Sequence, residues 1–533
     1  MWPGPGDGCG WRLGALLRLE VVIMAGRRLA RAASGPRDRR RRTGFWAALM
    51  AAAALAAAGC GGTSPPPSSP PVSMPKTTLT LCDVNGQTAD CGYVWVPQDW
   101  AHPAGPSMPL QVVVLPATAA SHPAAPLFVL AGAGAQETGD GAGLVLLDWA
   151  AQAFAQLNRT MDLVFVEQRG TPGSGLQTCP GLEDWLASPA AIQAAARRCL
   201  ASAARDPRHD TTPEAISDLD QVRKALGYNQ INLYGVSYGV TTGLAYLQRY
   251  GSHVRAAVLD SGSLLSVPEE QLDAEHAQQA FDQLAARCAA TPACARSYHP
   301  AADLDTVVVH LTAHPARVTL PGPSGQHQTI TVTAAMVTGL VDIELTSIQT
   351  AVLLPAALHA LAQGQWSQVL SRLGLTAASD TLGGPVSLQD VTIRCGDAWA
   401  AMNPATVGQQ GPSVFAAEDT IKATGLQALC AVWPHDPGVS GTVRSTVPIV
   451  FLNGTADPGD PPASVAAATA TMPNALLVAV PGIGHWTLNW NPHPGCLLAA
   501  TTAFIQAGQP ASPAPWDACT RALAGQPMPF PAS

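Results

Sequence analysis

Three residues far apart in the chain could together perform acyl transfer. Ser237 sits in Gly235-Val236-Ser237-Tyr238-Gly239, Asp457 in Gly454-Thr455-Ala456-Asp457-Pro458, and His485 in Pro481-Gly482-Ile483-Gly484-His485-Trp486. A serine hydroxyl attacks a carbonyl well only when an imidazole takes its proton. That imidazole works best when a carboxylate fixes its tautomer and stabilises its cation. His485 would take the proton and return it to the leaving group, and Asp457 would hold the ring. Asp460 is the rival acid. Asp457 is preferred because it lies closer to the end of the apolar run before it. His493 reads as a structural or surface residue.

Positioning three such groups takes a scaffold. Ile231–Val236 is an apolar, β-prone run, and Val240–Tyr250 is helix-compatible. Between them G-x-S-x-G reads as a tight strand-to-helix turn that lifts the hydroxyl above a sheet. Glycines suit its flanks, because a strained serine backbone leaves no room for neighbouring β-carbons. Val447–Leu452 and Ala475–Val480 are late strands with the acid after one and the histidine after the next. Earlier strands are expected at Leu110–Leu115, Leu127–Leu130, Asp162–Glu167 and Arg255–Leu259. The loop of tiny residues after Leu130 can bring the backbone N–H groups of Gly132 and Ala133 close to a substrate oxygen, with Tyr238 N–H as the other oxyanion donor. The same Gly-rich stretch could also be an ordinary turn.

Glu167 and Arg169 are expected to pin a loop beside the elbow through charge-assisted hydrogen bonds. Thr212-Pro213-Glu214 opens a helix, with Thr212 as the cap, and Ile216, Leu219, Val222 and Leu226 keep helical spacing up to Gly227. From Ser266 the pattern changes. Helix-like segments Gln271–Ala290 and Ala351–Leu373 flank a β-prone patch at Val318–Val332, as in a cap inserted above an active site.

The chain of 533 residues is 47% hydrophobic and 12% charged, ample for an α/β core with an insertion. Ten arginines and only three acids fall in residues 1–59, out of 29 basic and 37 acidic residues overall. The remainder is therefore strongly acidic, so nucleic acid is not an expected partner. Arg39–Arg42 followed by the apolar run Phe45–Ala58 reads as a secretory signal rather than a membrane span. The ending Leu55-Ala56-Ala57-Ala58-Gly59-Cys60 resembles a bacterial lipobox, with Ala57 where leucine is usual, so Cys60 is a candidate for lipidation. Arg41-Arg42 also suits a twin-arginine route. Translation is expected to begin at Met24. The Pro/Ser-rich stretch that follows Cys60 is too poor in apolar residues to fold and reads as a tether.

Beyond Cys9 and Cys60, ten cysteines remain, which in an exported chain favours disulfides over metal ligands. Spacing alone leaves the connectivity open. Clustering suggests the neighbours Cys82 with Cys91, Cys179 with Cys199, Cys288 with Cys294, Cys395 with Cys430, and Cys496 with Cys519. With neither C-x-x-C nor H-E-x-x-H in the sequence and the histidines scattered, no metal site is expected. No cofactor is expected either.

The segments Asp162–Thr171, Leu233–Gly239, Val254–Asp260, Phe451–Pro458 and Val480–His485 together resemble the secreted tripeptidyl aminopeptidase and proline iminopeptidase-like branch of the α/β-hydrolases, which carries a TAP-like C-terminal segment. The resemblance spans roughly residues 80–520 and implies an α/β-hydrolase fold: a mostly parallel sheet, helices on both faces and a mainly helical cap. The expected division is an export signal at 1–59, a tether at 60–76, core at 77–265, cap at 266–390 and core with the TAP-like segment at 391–533. It also implies a serine exopeptidase acting on free peptide N-termini, with Ser237, Asp457 and His485 as its triad. Family members often show an acid shortly after a late cysteine, which makes Asp397 in Cys395-Gly396-Asp397 a candidate for orienting the substrate amine. Two departures stand out. Gly132-Ala133-Gly134-Ala135 replaces the usual G-G-P-G, and Glu167 replaces an aspartate. The rival functions are a carboxylesterase using the same triad and a ligand-binding lipoprotein that no longer catalyses.

Overall fold

Short runs rich in valine, leucine and isoleucine, punctuated by glycine, proline and aspartate, become the strands of one large sheet. The computed structural model describes residues 77–119, 124–132, 141–182, 188–321, 327–373, 386–398, 402–403, 405–409 and 411–531. The expected signal, the tether with Cys60, and Ala133 lie outside these residues.

The strands are β1 (Leu79–Val84), β2 (Gln87–Pro97), β3 (Ser107–Leu115), β4 (Ala124–Leu130), β5 (Met161–Val166), β6 (Ile231–Val236) and β7 (Val254–Asp260), followed after the insertion by β10 (Ile449–Gly454) and β11 (Ala475–Val480). They form a nine-stranded sheet in the order β1-β2-β3-β5-β4-β6-β7-β10-β11. Pairing is antiparallel from β1 to β5 and parallel from β5 to β11. All residues of β6 and β10 are buried, as expected of central parallel strands covered on both faces. Alternate residues serve the two faces. Leu130, Leu233, Leu259 and Phe451 pack with Ile216, Val222 and Leu244 of the helices Thr212–Ala225 and Tyr238–Tyr250. Val129, Tyr234, Val258 and Leu452 join a second core that continues into the inserted region. This is the α/β-hydrolase fold.

Between β7 and β10 the chain leaves the sheet. The helices Glu269–Ala290, Pro300–Ala313, Ala334–Leu345 and Leu354–Ala362 accompany a separate antiparallel hairpin of β8 (Ala316–Pro321) and β9 (His327–Val332). The segment expected as one helix from Ala351 to Leu373 is interrupted. Leu354–Ala362 and Trp366–Arg372 are separate helices, divided at Gly364, where φ is +82°. A glycine takes that left-handed turn without steric cost and ends the first helix there.

Ten cysteines form five disulfides: Cys82–Cys91, Cys179–Cys199, Cys288–Cys294, Cys395–Cys430 and Cys496–Cys519. Each joins close neighbours in sequence, a pattern suited to an oxidising compartment. No helix among the described residues is long and apolar enough to cross a membrane.

A fully buried arginine fastens the loop after β5. Arg169 is 0% exposed and meets Asp218 side-on through Nε and Nη2, both at 2.7 Å. Its remaining donors reach the carbonyls of Pro97, Gln98 and His209 and the Glu214 carboxylate. Glu167, also buried, accepts from Leu144 N–H at 2.8 Å and Thr171 Oγ1 at 2.7 Å. These contacts bind β2, the post-β5 loop and the helix before the elbow into one block. Removing one member of a buried pair leaves the other charge uncompensated. Asp218→Ala should therefore cost ~3–5 kcal/mol of folding free energy in chemical denaturation. Asp206→Ala, which breaks the exposed pair with Arg208, should cost under about 1 kcal/mol. Equal losses for the two variants would contradict the assignment.

Candidate active site

The elbow is built by close backbone approach. A β-carbon on Gly235 would strike Gly239, and one on Gly239 would strike the carbonyl of Leu130 on the neighbouring strand. Only hydrogen at both positions lets β6 turn directly into the helix Tyr238–Tyr250. Ser237, at the corner, has φ +55° and ψ −125°. Its N–H is shared between the carbonyls of Asp260 at 3.1 Å and Ser261 at 3.0 Å.

Strain gathers here. Among the described residues, four other than glycine have positive φ: Asn85, Ser237, Ser261 and Trp486. The last three adjoin one another, and such strain persists only where surrounding contacts enforce it. Ser261 N–H donates to Leu452 O on β10 at 2.7 Å, and Ser261 Oγ accepts from Trp486 N–H at 2.8 Å. Ser261 thus touches the serine corner through its carbonyl and the histidine loop through its hydroxyl.

Asp260, at the end of β7, completes this tie. Its buried carboxylate accepts from Ser261 Oγ, Thr487 N–H, Thr487 Oγ1, Tyr234 Oη and Leu488 N–H, at 2.8–3.1 Å. Burial raises its pKa, while the donors from Thr487, Tyr234 and Leu488 pull the other way. The Trp486 indole donates to Tyr234 Oη at 3.0 Å and packs edge-on against Trp149 and Trp490. Sequence reasoning missed Asp260 and Ser261 as organisers. Their only signal was a β-strand closing on Asp-Ser-Gly directly after the elbow helix.

The candidate acid and base lie just past the ends of β10 and β11. His485 Nδ1 lies 3.0 Å from Asp457 Oδ2 and 3.8 Å from Asp460 Oδ2. Asp457 Oδ1 accepts the N–H groups of Gly459 and Asp460, both at 3.0 Å. Burial opposes the charge on Asp457, but the His485 cation, the hydrogen bond from its ring and these two N–H groups hold the carboxyl below the usual range. Asp460 is raised to about 6 by burial and the Asp457 charge, and its Oδ1 accepts from Ser263 Oγ at 2.6 Å. Asp457 is the nearer of the two carboxylates to the imidazole. Burial would lower the imidazole's pKa, but the charges of Asp457, Asp460 and Asp260 and the Asp457 hydrogen bond raise it to about 9.

The insertion reaches the same place. His485 N–H donates to Thr346 O at 2.8 Å, at the end of the helix Ala334–Leu345. A β-carbon on Gly484 would collide with the Thr346 and Leu345 carbonyls, which explains the glycine before the histidine. On the other side, Gly132 faces Ser237. A β-carbon there would come within 2.8 Å of Ser237 Cβ and 3.3 Å of Oγ. Tyr238 is the first residue of the elbow helix, directly after Ser237. Among the described residues no hydrogen bond joins Ser237 Oγ directly to His485. The link between them is the Asp260-Ser261 backbone and side chains.

Asp397 lies in a π-helical turn, Arg394–Ala398, beside the Cys395–Cys430 disulfide. Its Oδ2 accepts from Thr212 Oγ1 at 2.5 Å and its Oδ1 from Val439 N–H at 2.7 Å. Burial raises it to about 6 against those donors. Thr212 is not the helix cap expected from sequence. Thr211 takes that place, and Thr212 spends its hydroxyl on Asp397 and Tyr238.

Comparison with known proteins agrees with this architecture. Residues 141–306 match the family model of the alpha/beta hydrolase fold, and residues 417–515 match that of TAP-like proteins. The chain is 29% identical over 192 residues to a tripeptidyl aminopeptidase of Streptomyces coelicolor, covering 32% of this chain and 34% of that protein. It is 34% identical over 96 residues to serine protease Hip1 of Mycobacterium bovis, 17% of this chain and 18% of that one. It is 29% identical over 251 residues to carboxylesterase B of Mycobacterium tuberculosis, 39% of this chain and 43% of that one. The alignment with the first of these spans about a third of that relative's length. The first family segment contains β5 to β7 with the serine corner, and the second contains β10 and β11 with the acid and histidine. Carrying both on one nine-stranded sheet, the chain is a TAP-like α/β-hydrolase.

Proposed function

We propose that this hydrolase is an exported serine peptidase that releases short peptides or single residues from free N-termini, with Ser237, His485 and Asp457 as its triad. The observation that carries the reading is the 3.0 Å contact between His485 Nδ1 and Asp457 Oδ2 on the loop tied through Ser261 to the Ser237 corner. The peptide specificity rests on the aminopeptidase and protease names of two relatives. The five disulfides support export, and lipidation at Cys60 would anchor the domain to a membrane.

In this reading His485 Nε2 takes the Ser237 proton as Oγ attacks the scissile carbonyl. The developing oxyanion is met by Tyr238 N–H and by the backbone at Gly132. Negative charge then sits at the start of the elbow helix, where the helix dipole favours it. The imidazolium, held by Asp457, protonates the departing amine and leaves an acyl-enzyme. Water activated by the neutral imidazole hydrolyses it and regenerates the serine. Each step uses only side chains, backbone N–H groups and water. A carboxylesterase with the same triad is the second reading, favoured by the longer alignment with carboxylesterase B.

A fluorophosphonate probe should label the protein at Ser237, and Ser237→Ala should abolish labelling and lower kcat by at least about a thousandfold. Aminoacyl arylamides should be cleaved faster than short acyl esters, and acylating their free amine should remove most of the activity. The opposite preference would select the esterase reading. Absence of labelling would contradict both.

The imidazole must be neutral to accept the serine proton. With nearby carboxylates raising it to about 9, kcat/KM should climb with pH well above the ordinary histidine range. Asp460→Asn removes a negative charge 3.8 Å from Nδ1, lowers the imidazole pKa and so moves the ascending limb to lower pH. An unmoved limb would show that Asp460 does not act on the base.

A further inference from the structure

The acid that family resemblance assigns to the substrate amine faces the enzyme's own side chains. Asp397 Oδ2 accepts from Thr212 Oγ1 at 2.5 Å, and Thr212 Oγ1 lies 2.8 Å from Tyr238 Oη. The other carboxylate oxygen takes Val439 N–H at 2.7 Å. The chain at Gly438 presses so closely that a β-carbon there would collide with Asp397 Oδ1, and Gly438 N–H bonds Gly396 O at 3.2 Å. Among the described residues no lysine or arginine pairs with this carboxylate. Thr212 is fully buried, so no substrate group reaches its hydroxyl.

Counting protons fixes the direction of the chain. A threonine hydroxyl has one hydrogen, and an ionised carboxylate can only accept. The Thr212 proton therefore goes to Asp397, and the Tyr238 phenol donates to Thr212. A charge-assisted bond at one end polarises the bond at the other. The chain reaches Tyr238, which follows the nucleophile and supplies the expected oxyanion N–H.

We propose that Asp397 is a positioning residue: acting through Thr212, it fixes the Tyr238 side chain and with it the first turn of the elbow helix beside Ser237. The proposal rests on the serine-hydrolase reading and reassigns Asp397 within it. The hydroxyl of Thr212, the first residue of the helix Thr212–Ala225, is thereby used across the site. The Cys395–Cys430 disulfide, which closes the turn carrying Asp397, then braces the site and not only the TAP-like segment.

An amine-binding acid and a positioning acid differ in what their loss does. Removing an amine-binding acid raises KM for free-amine peptides and spares substrates and probes without an amine. Removing a positioning acid lowers kcat and fluorophosphonate labelling whether or not an amine is present. The experiment compares Asp397→Asn, Thr212→Val, Thr212→Ser and Tyr238→Phe. It measures labelling rate, kcat and KM on one free-amine arylamide and its N-acylated ester counterpart, with a thermal melt for each variant. Thr212→Val is nearly isosteric and keeps the test open if Asp397→Asn fails to fold.

Asp397→Asn, Thr212→Val and Tyr238→Phe should each lower labelling and kcat by about tenfold on both substrates, with KM changed less than about twofold. Thr212→Ser should restore both rates. Thr212→Val combined with Tyr238→Phe should cost no more than either alone. The proposal is overturned if Asp397→Asn raises KM for the free-amine substrate alone, or if Thr212→Val labels at the wild-type rate. An unlabelled wild-type protein would instead remove the serine-hydrolase reading beneath it.

Discussion

One buried carboxylate links the two halves of this site. Asp260 ends β7, between the strand that carries Ser237 and the strand that leads to Asp457. Its carbonyl accepts the Ser237 N–H, and its carboxylate gathers donors from Tyr234, Ser261, Thr487 and Leu488. A carboxylate this deep is costly unless its lone pairs are satisfied. Meeting that demand pulls the residues after His485 onto the end of β7. The histidine loop is therefore held by hydrogen bonds made one to three residues beyond the histidine, and the imidazole itself stays available.

Strain and packing follow from that tie. Ser237, Ser261 and Trp486 adopt left-handed backbone in one small volume, where each would be unfavourable alone. The Trp486 ring packs against Trp149 and Trp490 and reaches Tyr234, so the strained peptide is enclosed by aromatic surface. On the far side Thr346 O receives the His485 N–H, so the inserted helices share in placing residue 485. Movement of the insertion would be felt at the imidazole directly.

Much of this was legible in the sequence because it obeys local rules. The strand-glycine-serine-glycine-helix pattern at 231–250 forces the elbow, since only glycine survives the contacts of Gly235 and Gly239. The ends of β10 and β11 were readable as apolar runs stopped by polar, turn-forming residues, and neighbouring cysteines did pair. What escaped depends on contacts between distant segments. Thr212 has every local mark of a helix cap, yet its hydroxyl is captured by Asp397, which lies 185 residues away. Asp260 reads as a strand terminator, and its donors at 487 and 488 are more than 225 residues distant. The break at Gly364 is local, but helical spacing on both sides hides it.

If Ser237, His485 and the oxyanion N–H groups act together, the Asp260–Ser261 tie is what assembles them at one edge of the sheet. A crystal structure of the phosphonate adduct tests this most directly. The expected result is phosphorus on Ser237 Oγ, a phosphoryl oxygen within hydrogen-bond reach of Tyr238 N–H and the Gly132 backbone, His485 Nε2 against an adduct oxygen, and Asp260 still bound to residues 487 and 488. Phosphorus on another residue, or an imidazole turned away from the adduct while Asp260 keeps its donors, would contradict it.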